Sequence, residues 1–211
     1  RVTLELGYSC IAVPFEPPLR GLFSELRKLF EGEGVEVVSR LDLFPTSPQE
    51  LLRKLRKHRW DYAVIAVKSS SKAVLRQAAK DRRVDLITIP FEVGPELFGK
   101  HERALLLSSR FKAYEITFSD LSRFSDNEDF LFRLRQELSS SFAKVPIVIS
   151  SGASSPWDMR DPILLASLIT FLLGEKNLLK APVSTYPLTI VRRNLAKLTG
   201  GVPIDGVRKA G

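Results

Sequence analysis

Short runs of apolar and β-branched residues recur along the chain and alternate with segments of helical spacing. In residues 19–30, leucine and phenylalanine recur every three or four positions, which is typical of one face of a helix. The apolar runs are CIAVPF from Cys10, EVVSRLDL from Glu36, YAVIAVK from Tyr62, DLITIPF from Asp85, YEITFS from Tyr114, PIVISS from Pro146 and a weaker APVST from Ala181. Most are apolar on both faces, as in parallel strands covered by helices, so the pattern predicts an α/β fold.

Two helix starts stand out in the sequence. TSPQELL offers Ser47 as the N-cap, Pro48 at the first helical position and Glu50 to complete a capping box. RDPILL offers Asp161 and Pro162 in the same way. The apolar segment that follows Pro162 is shorter than the roughly 18 residues that span a bilayer, so we expect a core helix and no membrane role.

Strand–helix alternation continues without a composition break or linker, which predicts a single α/β domain over residues 1–211. Seven strands at this spacing suit either an open doubly wound sheet or a (β/α) barrel. An open nucleotide-binding sheet should have a glycine-rich turn after an early strand, but AVPFEPPLRG has prolines there. This favours the barrel.

The charge balance points to anionic partners. The chain has 32 Lys and Arg against 24 Asp and Glu, a formal net charge of +8, which favours polyanions such as nucleic acid. Its one cysteine, Cys10, cannot form an internal disulfide and fits a reducing, cytoplasmic location.

Candidate catalytic residues are sparse. The two histidines lie far apart, and we expect His58 at a solvated helix position and His101 at a helix start rather than on a metal. The serines of ISSGASS lack a nucleophile-elbow motif, and either a phosphate contact or a well-satisfied turn fits them. Four acids lie at or near the ends of predicted strands, where two of them would form a catalytic pair or, alternatively, each would cap a helix. They are Asp42, Glu92, Glu115 and Asp120.

Basic residues are more informative. RKLRKHR places Arg53, Lys54, Arg56, Lys57 and Arg59 in one predicted helix. Further clusters are KDRR from Lys80, GKHER from Gly99, SRFKAY from Ser109 and VRRNLAK from Val191. Together they suggest sequence-independent, salt-sensitive binding to a phosphate backbone. Phe111 and Trp157 lie near basic residues, where they would either stack on an unpaired base or pack in the core.

Several stretches, in order and spacing, resemble protein component 3, the barrel subunit of archaeal and eukaryotic ribonuclease P. They are LGYSCIAV from Leu6, SRLDL from Ser39, WDYAVIAV from Trp60, RRVDLITIP from Arg82, AYEITFSDLSR from Ala113, PIVISSGASSPWDMRDP from Pro146 and KAPVSTYP from Lys180. The most specific combination is YEITFS, then ISSGA, and then Arg160 two residues before Pro162. The resemblance covers most of the chain.

The resemblance implies a distorted TIM-type (β/α) barrel, similar to the metal-dependent phosphoesterase (PHP-like) barrel without its metal-binding histidines. It implies a ribonuclease P subunit that assists the catalytic RNA in removing the 5′ leader of precursor tRNA. The chain alone would be an inactive, RNA-binding protein with no catalytic residue, metal or cofactor of its own, and magnesium would belong to the RNA. The expected partners are ribonuclease P RNA, precursor tRNA and a small α/β protein subunit.

Residue by residue, Ser150, Ser151, Gly152 and Arg160 match the family's loop, and Glu115 and Ser119 match its fifth-strand pattern. The resulting prediction is an RNA-contacting rim with basic residues beside it. The predicted RNA-binding residues are Arg110, Lys112, Arg123, Ser150, Ser151, Gly152, Arg160, Arg53, Lys57, Arg192 and Arg193.

The N-terminal residues depart from the family pattern. VTLELGY alternates like a strand when taken alone, but the resemblance makes it the end of the first helix. The first strand of the barrel is then expected to be absent, which would leave an unpaired strand edge.

Two further functions compete with the ribonuclease P hypothesis. A metal-dependent phosphoesterase of the same barrel type should be activated by manganese or zinc, which the scarcity of histidine disfavours. A pure protein scaffold should bind RNA only as weakly as any protein of this charge, and binding over a salt series would reveal this.

Overall fold

The computed structural model describes residues 2–16, 19–91, 104–106, 112–141, 145–174 and 180–199. Strands and helices alternate along these residues, as the apolar runs predict. The strands are β1 (Cys10–Pro14), β2 (Glu36–Leu43), β3 (Val64–Lys68), β4 (Leu86–Thr88), β5 (Ala113–Thr117) and β6 (Ile147–Ser150). The α-helices are α1 (Val2–Glu5), α2 (Arg20–Glu31), α3 (Pro48–His58), α4 (Lys72–Lys80), α5 (Phe118–Ser122), α6 (Glu128–Ser141), α7 (Pro162–Leu173) and α8 (Tyr186–Leu198).

The six strands form one sheet in the order β1-β2-β3-β4-β5-β6, and every neighbouring pair is parallel. The sheet is curled, so the fold is α/β with the curvature of a distorted TIM-type barrel, as predicted. All carboxyl ends therefore meet at one edge. In TIM barrels this edge carries the active site.

The two faces of the sheet pack against different helices. Ile65 and Val67 of β3 point outward into the larger core, which α3, α4, α6 and α7 cover. Val64 and Ala66 point inward, where they pack with Ile190 of α8. This alternation follows from the two-residue period of a strand. Because α8 covers the inner face near the amino ends, the carboxyl ends remain for polar side chains.

Buried polar contacts fix α8 to the sheet. Asp85 is fully buried, and its carboxylate accepts hydrogen bonds from the backbone N–H of Ile65 at 2.9 Å and from Arg193 Nη2 at 2.7 Å. Asn194 Oδ1 accepts from Arg59 Nη2 at 3.0 Å. The Arg193 guanidinium neutralises this buried carboxylate, which gives it a structural role and does not favour the predicted RNA contact.

Both predicted helix starts are confirmed. Ser47 Oγ accepts from the backbone N–H of Glu50 at 3.2 Å, and Asp161 Oδ1 accepts from the backbone N–H of Ile163 at 2.6 Å. The capping box at α3 is shifted by one residue, because the Glu50 carboxylate accepts from the N–H and hydroxyl of Thr46.

The predicted seventh strand is wrong. Ala181–Thr185 is a π-helical turn that runs directly into α8, and the N–H of Ser184 donates to the carbonyl of Lys180 at 2.9 Å. Pro182 favours this outcome, because proline has no N–H for a strand ladder and is suited to the first turn of a helix. Val2–Glu5 is helical, as the family resemblance implies.

The apolar segment after Pro162 is a helix, α7, with a buried side formed by Leu165, Ala166, Ile169 and Leu172. Its opposite side is exposed at Ile163, Leu164 and Phe171, so α7 is not wholly a core helix. No helix within the described residues is long and apolar enough to cross a bilayer.

Candidate functional site

Polar side chains cluster on the inner face, from the middle to the carboxyl ends of four strands. They are Arg40 and Asp42 of β2, Thr88 of β4, Glu115 of β5 and Ser150 of β6. The register pairs Thr88 with Glu115, so their side chains lie side by side. The site is thus assembled from residues that are distant in sequence.

Glu115 is the centre of this cluster. It is fully buried, and Arg40 Nη1 and Nη2 donate to its Oε1 and Oε2 at 2.5 and 2.7 Å, which is a bidentate ion pair. The hydroxyls of Thr88 and Ser150 donate to the same carboxylate at 2.7 and 2.9 Å. Arg40 Nε donates in turn to Asp42 Oδ1 at 2.6 Å. One guanidinium therefore serves two carboxylates.

The pKa values follow from this arrangement. Burial by itself would raise the pKa of Glu115, but the charge and hydrogen bonds of Arg40 outweigh it, and the pKa lies below its usual value. Burial raises the pKa of Asp42, which Arg40 only partly offsets. Burial alone would lower the pKa of Arg40, but the charges of Glu115 and Asp42 outweigh it and raise the pKa above its usual value. Arg40 and Glu115 are therefore held as a charged pair.

This cluster is poorly suited to catalysis. Glu115 accepts four hydrogen bonds, so it has no oxygen lone pair readily available to bind a metal ion or take a proton from a substrate. The guanidinium supplies the positive charge that a metal would otherwise bring to these acids. Within the described residues, no group of three or more histidine, cysteine or acidic side chains is arranged to hold a metal ion. Asp42 and Glu115, two of the acids left open between catalysis and capping, instead share an arginine.

The loop after β6 packs closely on the segment after β5. Gly152 has φ of +60°, and a Cβ there would lie 2.2 Å from Ser119 Oγ. The N–H of Ser119 donates to the carbonyl of Ser151 at 3.1 Å, and Ser151 Oγ accepts from the N–H of Ala153 at 3.3 Å. With the Ser150 hydroxyl held by Glu115, the structure favours a well-satisfied turn over a phosphate contact for these serines.

Arg160 holds the rest of this loop. Its Nη1 donates to the carbonyls of Trp157 and Met159 at 2.8 and 2.9 Å, and its guanidinium lies 5.2 Å from the ring centre of Phe118. Its own carbonyl accepts from the Tyr8 hydroxyl at 2.6 Å. Trp157 remains strongly exposed, so the loop presents the indole outward rather than in the core.

The exposed candidates for RNA binding lie on different sides of the fold. Arg53 and Lys57 are exposed on α3, and Arg123 is exposed after α5. Arg192 is exposed on α8 and forms an ion pair with Glu36, at the amino end of β2, at 2.9 Å. These residues therefore do not form one continuous rim at the carboxyl edge. Arg110 lies outside the described residues.

Lys112 does not support the RNA-contact prediction. Only 2% of it is exposed, and its Nζ donates to the carbonyls of Ala78 and Ala79 at 2.8 and 2.6 Å. These carbonyls are at the end of α4, where a cation is favoured by the helix dipole. Burial lowers the pKa of Lys112 to about 8, although Asp81 and Asp85 act against this shift. Lys112 is thus a cap for α4.

The histidine predictions fare differently. His58 is not at a solvated position, because its side chain is mostly buried with Nδ1 3.6 Å from Asp61 Oδ2. His101 and Glu92 lie outside the described residues. Arg40 and Thr88 are site residues that sequence reasoning missed, and only Arg40 carried a signal. The available signal was a charged residue within a buried strand, which requires a buried partner.

Comparison with known proteins identifies the family. Residues 2–199 match the sequence profile of the family described as RNase P subunit p30. The chain belongs to the RNase P subunit p30 family. It is 32% identical over 195 residues to ribonuclease P protein component 3 of Methanosarcina mazei, which covers 90% of this chain and 79% of that protein. The family prediction from sequence is confirmed.

A solved structure supports the fold. A chain in a cryo-EM structure titled archaeal ribonuclease P with mature tRNA superposes with a TM-score of 0.70 at 18% identity. The match covers 94% of this chain and 84% of that chain. The curled parallel sheet of this p30-family protein is therefore also seen in a chain of that assembly.

Proposed function

We propose that the chain is a non-catalytic subunit of ribonuclease P that assists the catalytic RNA in removing the 5′ leader of precursor tRNA. The observation that carries the non-catalytic part is the Arg40–Glu115 ion pair, which lies inside the sheet next to the edge where TIM barrels place their active sites. Family membership supports the assembly. In this proposal the chain binds no ion of its own, and magnesium acts at the RNA.

The proposed RNA contacts are electrostatic. Arg53, Lys57 and Arg123 are exposed cations, and exposed cations bind phosphates without reading sequence. Arg192, which is paired with Glu36, would exchange that partner for a phosphate. Arg110 remains a predicted contact. The exposed cations on α3, after α5 and on α8 lie on different sides of the fold, so we expect contact with more than one RNA segment.

A small α/β protein subunit is the proposed protein partner, and the exposed face of α7 is its proposed docking surface. Ile163 and Phe171 are 75% and 71% exposed, and Phe132 of the adjacent α6 is 61% exposed. No residue from Pro162 to Leu173 is charged, so this face has no cation of its own to bind an RNA phosphate. Exposed apolar surface of this kind is typical of a protein interface.

Charge reversal tests the RNA contacts. Arg53→Glu with Lys57→Glu should reduce precursor tRNA cleavage by the reconstituted complex, most strongly at moderate salt. Lys28→Glu, at an exposed lysine in the last turn of α2, is the control for the effect of one charge reversal away from α3. Unchanged cleavage by the double variant at all salt concentrations would rule out α3 as an RNA contact.

A further inference from the structure

A cleft of about 280 Å³ opens between the loops that follow β2 and β3. It lies at the carboxyl edge of the sheet, because Phe44 follows the last residue of β2 and Lys68 is the last residue of β3. Its lining residues are Phe44, Pro45, Thr46, Lys68, Ser69, Ser70 and Ser71. None of them belongs to the Arg40–Glu115 cluster, so the cleft is a separate feature.

The walls of the cleft are fixed by internal hydrogen bonds. The Ser69 hydroxyl donates to the carbonyl of Pro45 at 2.9 Å, which ties the two loops together. The N–H of Ser71 donates to Ser69 Oγ at 3.3 Å, and Ser71 Oγ caps α4 by accepting from the N–H of Val74. A cleft that is already ordered loses little conformational entropy when a ligand binds.

One wall is aromatic and open to solvent. The Phe44 side chain is 63% exposed, although it directly follows a buried strand. A phenylalanine ring left largely in water contributes little burial of apolar surface, so the fold gains little from this residue at this position. Phe44 is thus available to stack on a flat ligand.

The start of α4, beside the cleft, suits an anion. Ser70 lines the cleft and is exposed. Lys72, the first residue of α4, is exposed next to the lining residue Ser71, and the first turn of α4 contains no acidic residue. Glu50, which contacts the lining residue Thr46, is already engaged, because it accepts hydrogen bonds from Thr46 and pairs with Lys54 Nζ at 2.7 Å. Lys68 Nζ is likewise paired with Asp120 at 3.0 Å, so its contribution to the cleft is mainly its aliphatic stem.

We propose that this cleft binds one unpaired nucleotide of an RNA, with the base stacked on Phe44 and a phosphate held near Ser70 and Lys72. At about 280 Å³ the cleft is just below the roughly 300–1,000 Å³ range of ligand pockets, which suits a single nucleotide better than a base pair. Stacking on an aromatic ring is tolerant of sequence, because every base has a flat face. The proposal rests on the RNA-binding function proposed above.

Phe44→Ala tests the stacking, with Leu29→Ala as the control because Leu29 is a 71% exposed apolar residue of α2. Affinity of the purified chain for a labelled single-stranded oligoribonucleotide should fall about 5- to 150-fold in Phe44→Ala, the range for losing one stacked base. Its salt dependence should stay as in wild type, since phenylalanine carries no charge. Leu29→Ala should bind as wild type.

A second pair of variants tests the phosphate contact. Ser70→Asp should weaken binding by placing a negative charge at the proposed phosphate, whereas Ser24→Asp, at an exposed serine of α2, should not. Ultraviolet crosslinking should attach the RNA to the peptide that contains Phe44. Equal affinity of wild type and Phe44→Ala overturns the nucleotide cleft while leaving the ribonuclease P function intact. If the wild-type chain binds no RNA at all, both proposals lose their RNA contact.

Discussion

Removing the Arg40 guanidinium should destabilise the fold strongly. Arg40→Met keeps much of the aliphatic stem but leaves Glu115, which is fully buried, without its counter-charge. Breaking a buried ion pair by removing one partner costs roughly 3–5 kcal/mol. Whole domains are stable by only about 5–15 kcal/mol, so this single change should remove a large part of the free energy of unfolding.

The pH dependence of Arg40→Met should also have the opposite sign to that of wild type. In wild type, the pKa of Glu115 is lowered, so its stabilising contribution is present above the ordinary pKa of 4.5 and is lost as the pH falls through the folded value. In Arg40→Met, burial should raise the pKa of Glu115, so the variant loses stability as the pH rises above about 4.5.

The double variant Arg40→Met with Glu115→Met separates the pair from other effects. Replacing both partners by apolar residues is often neutral or stabilising by about 1–4 kcal/mol relative to the pair. The double variant should therefore be more stable than Arg40→Met alone. Urea unfolding followed by circular dichroism measures all three proteins. A loss below about 1 kcal/mol in Arg40→Met, or a double variant no more stable than Arg40→Met, refutes the reasoning.

Three further predictions concern other parts of the fold. Gly152→Ala should lower the thermal unfolding temperature more than Gly34→Ala does. Both glycines have positive φ, but of the two only Gly152 has an atom close to the position of an added Cβ, at 2.2 Å. Equal losses would contradict the close approach. Burial holds the pKa of Lys112 at about 8, below its usual 10.5, so the unfolded state binds more protons between these values. Wild type should therefore gain stability relative to Lys112→Met as the pH rises through this window, and a flat difference in urea unfolding would count against it. The double variant Ile163→Ser with Phe171→Ser should bind the small protein subunit more weakly in calorimetry, while its affinity for single-stranded RNA stays unchanged. Unchanged binding of the small subunit would show that α7 is not the docking surface.

The fold was predictable where local patterns decide it. Apolar runs such as residues 62–68 predict buried parallel strands, and Ser47 and Asp161 mark helix starts through short-range capping that depends only on neighbouring residues. Ala181–Thr185 was mispredicted because a short β-branched run is ambiguous between strand and helix, and its proline decides for the helix.

The candidate site was harder to predict because its contacts are distant in sequence. Arg40 and Glu115 are separated by 75 positions, and no spacing rule joins them. Lys112 and Arg193 appear as ordinary basic residues in the sequence, yet each finds a buried acceptor, the α4 carbonyls for Lys112 and Asp85 for Arg193. Side chains of this length reach partners that only the tertiary structure brings near.

The central claim is that this p30-family protein assists an RNA catalyst and cuts nothing itself. The most direct test is precursor tRNA cleavage at limiting magnesium by the catalytic RNA and the small protein subunit, with and without this chain, alongside the chain alone with magnesium, manganese or zinc. We expect the chain to raise 5′ cleavage by the complex and to leave precursor tRNA intact on its own with every metal. Cleavage by the chain alone, or no effect on the complex, would contradict the account.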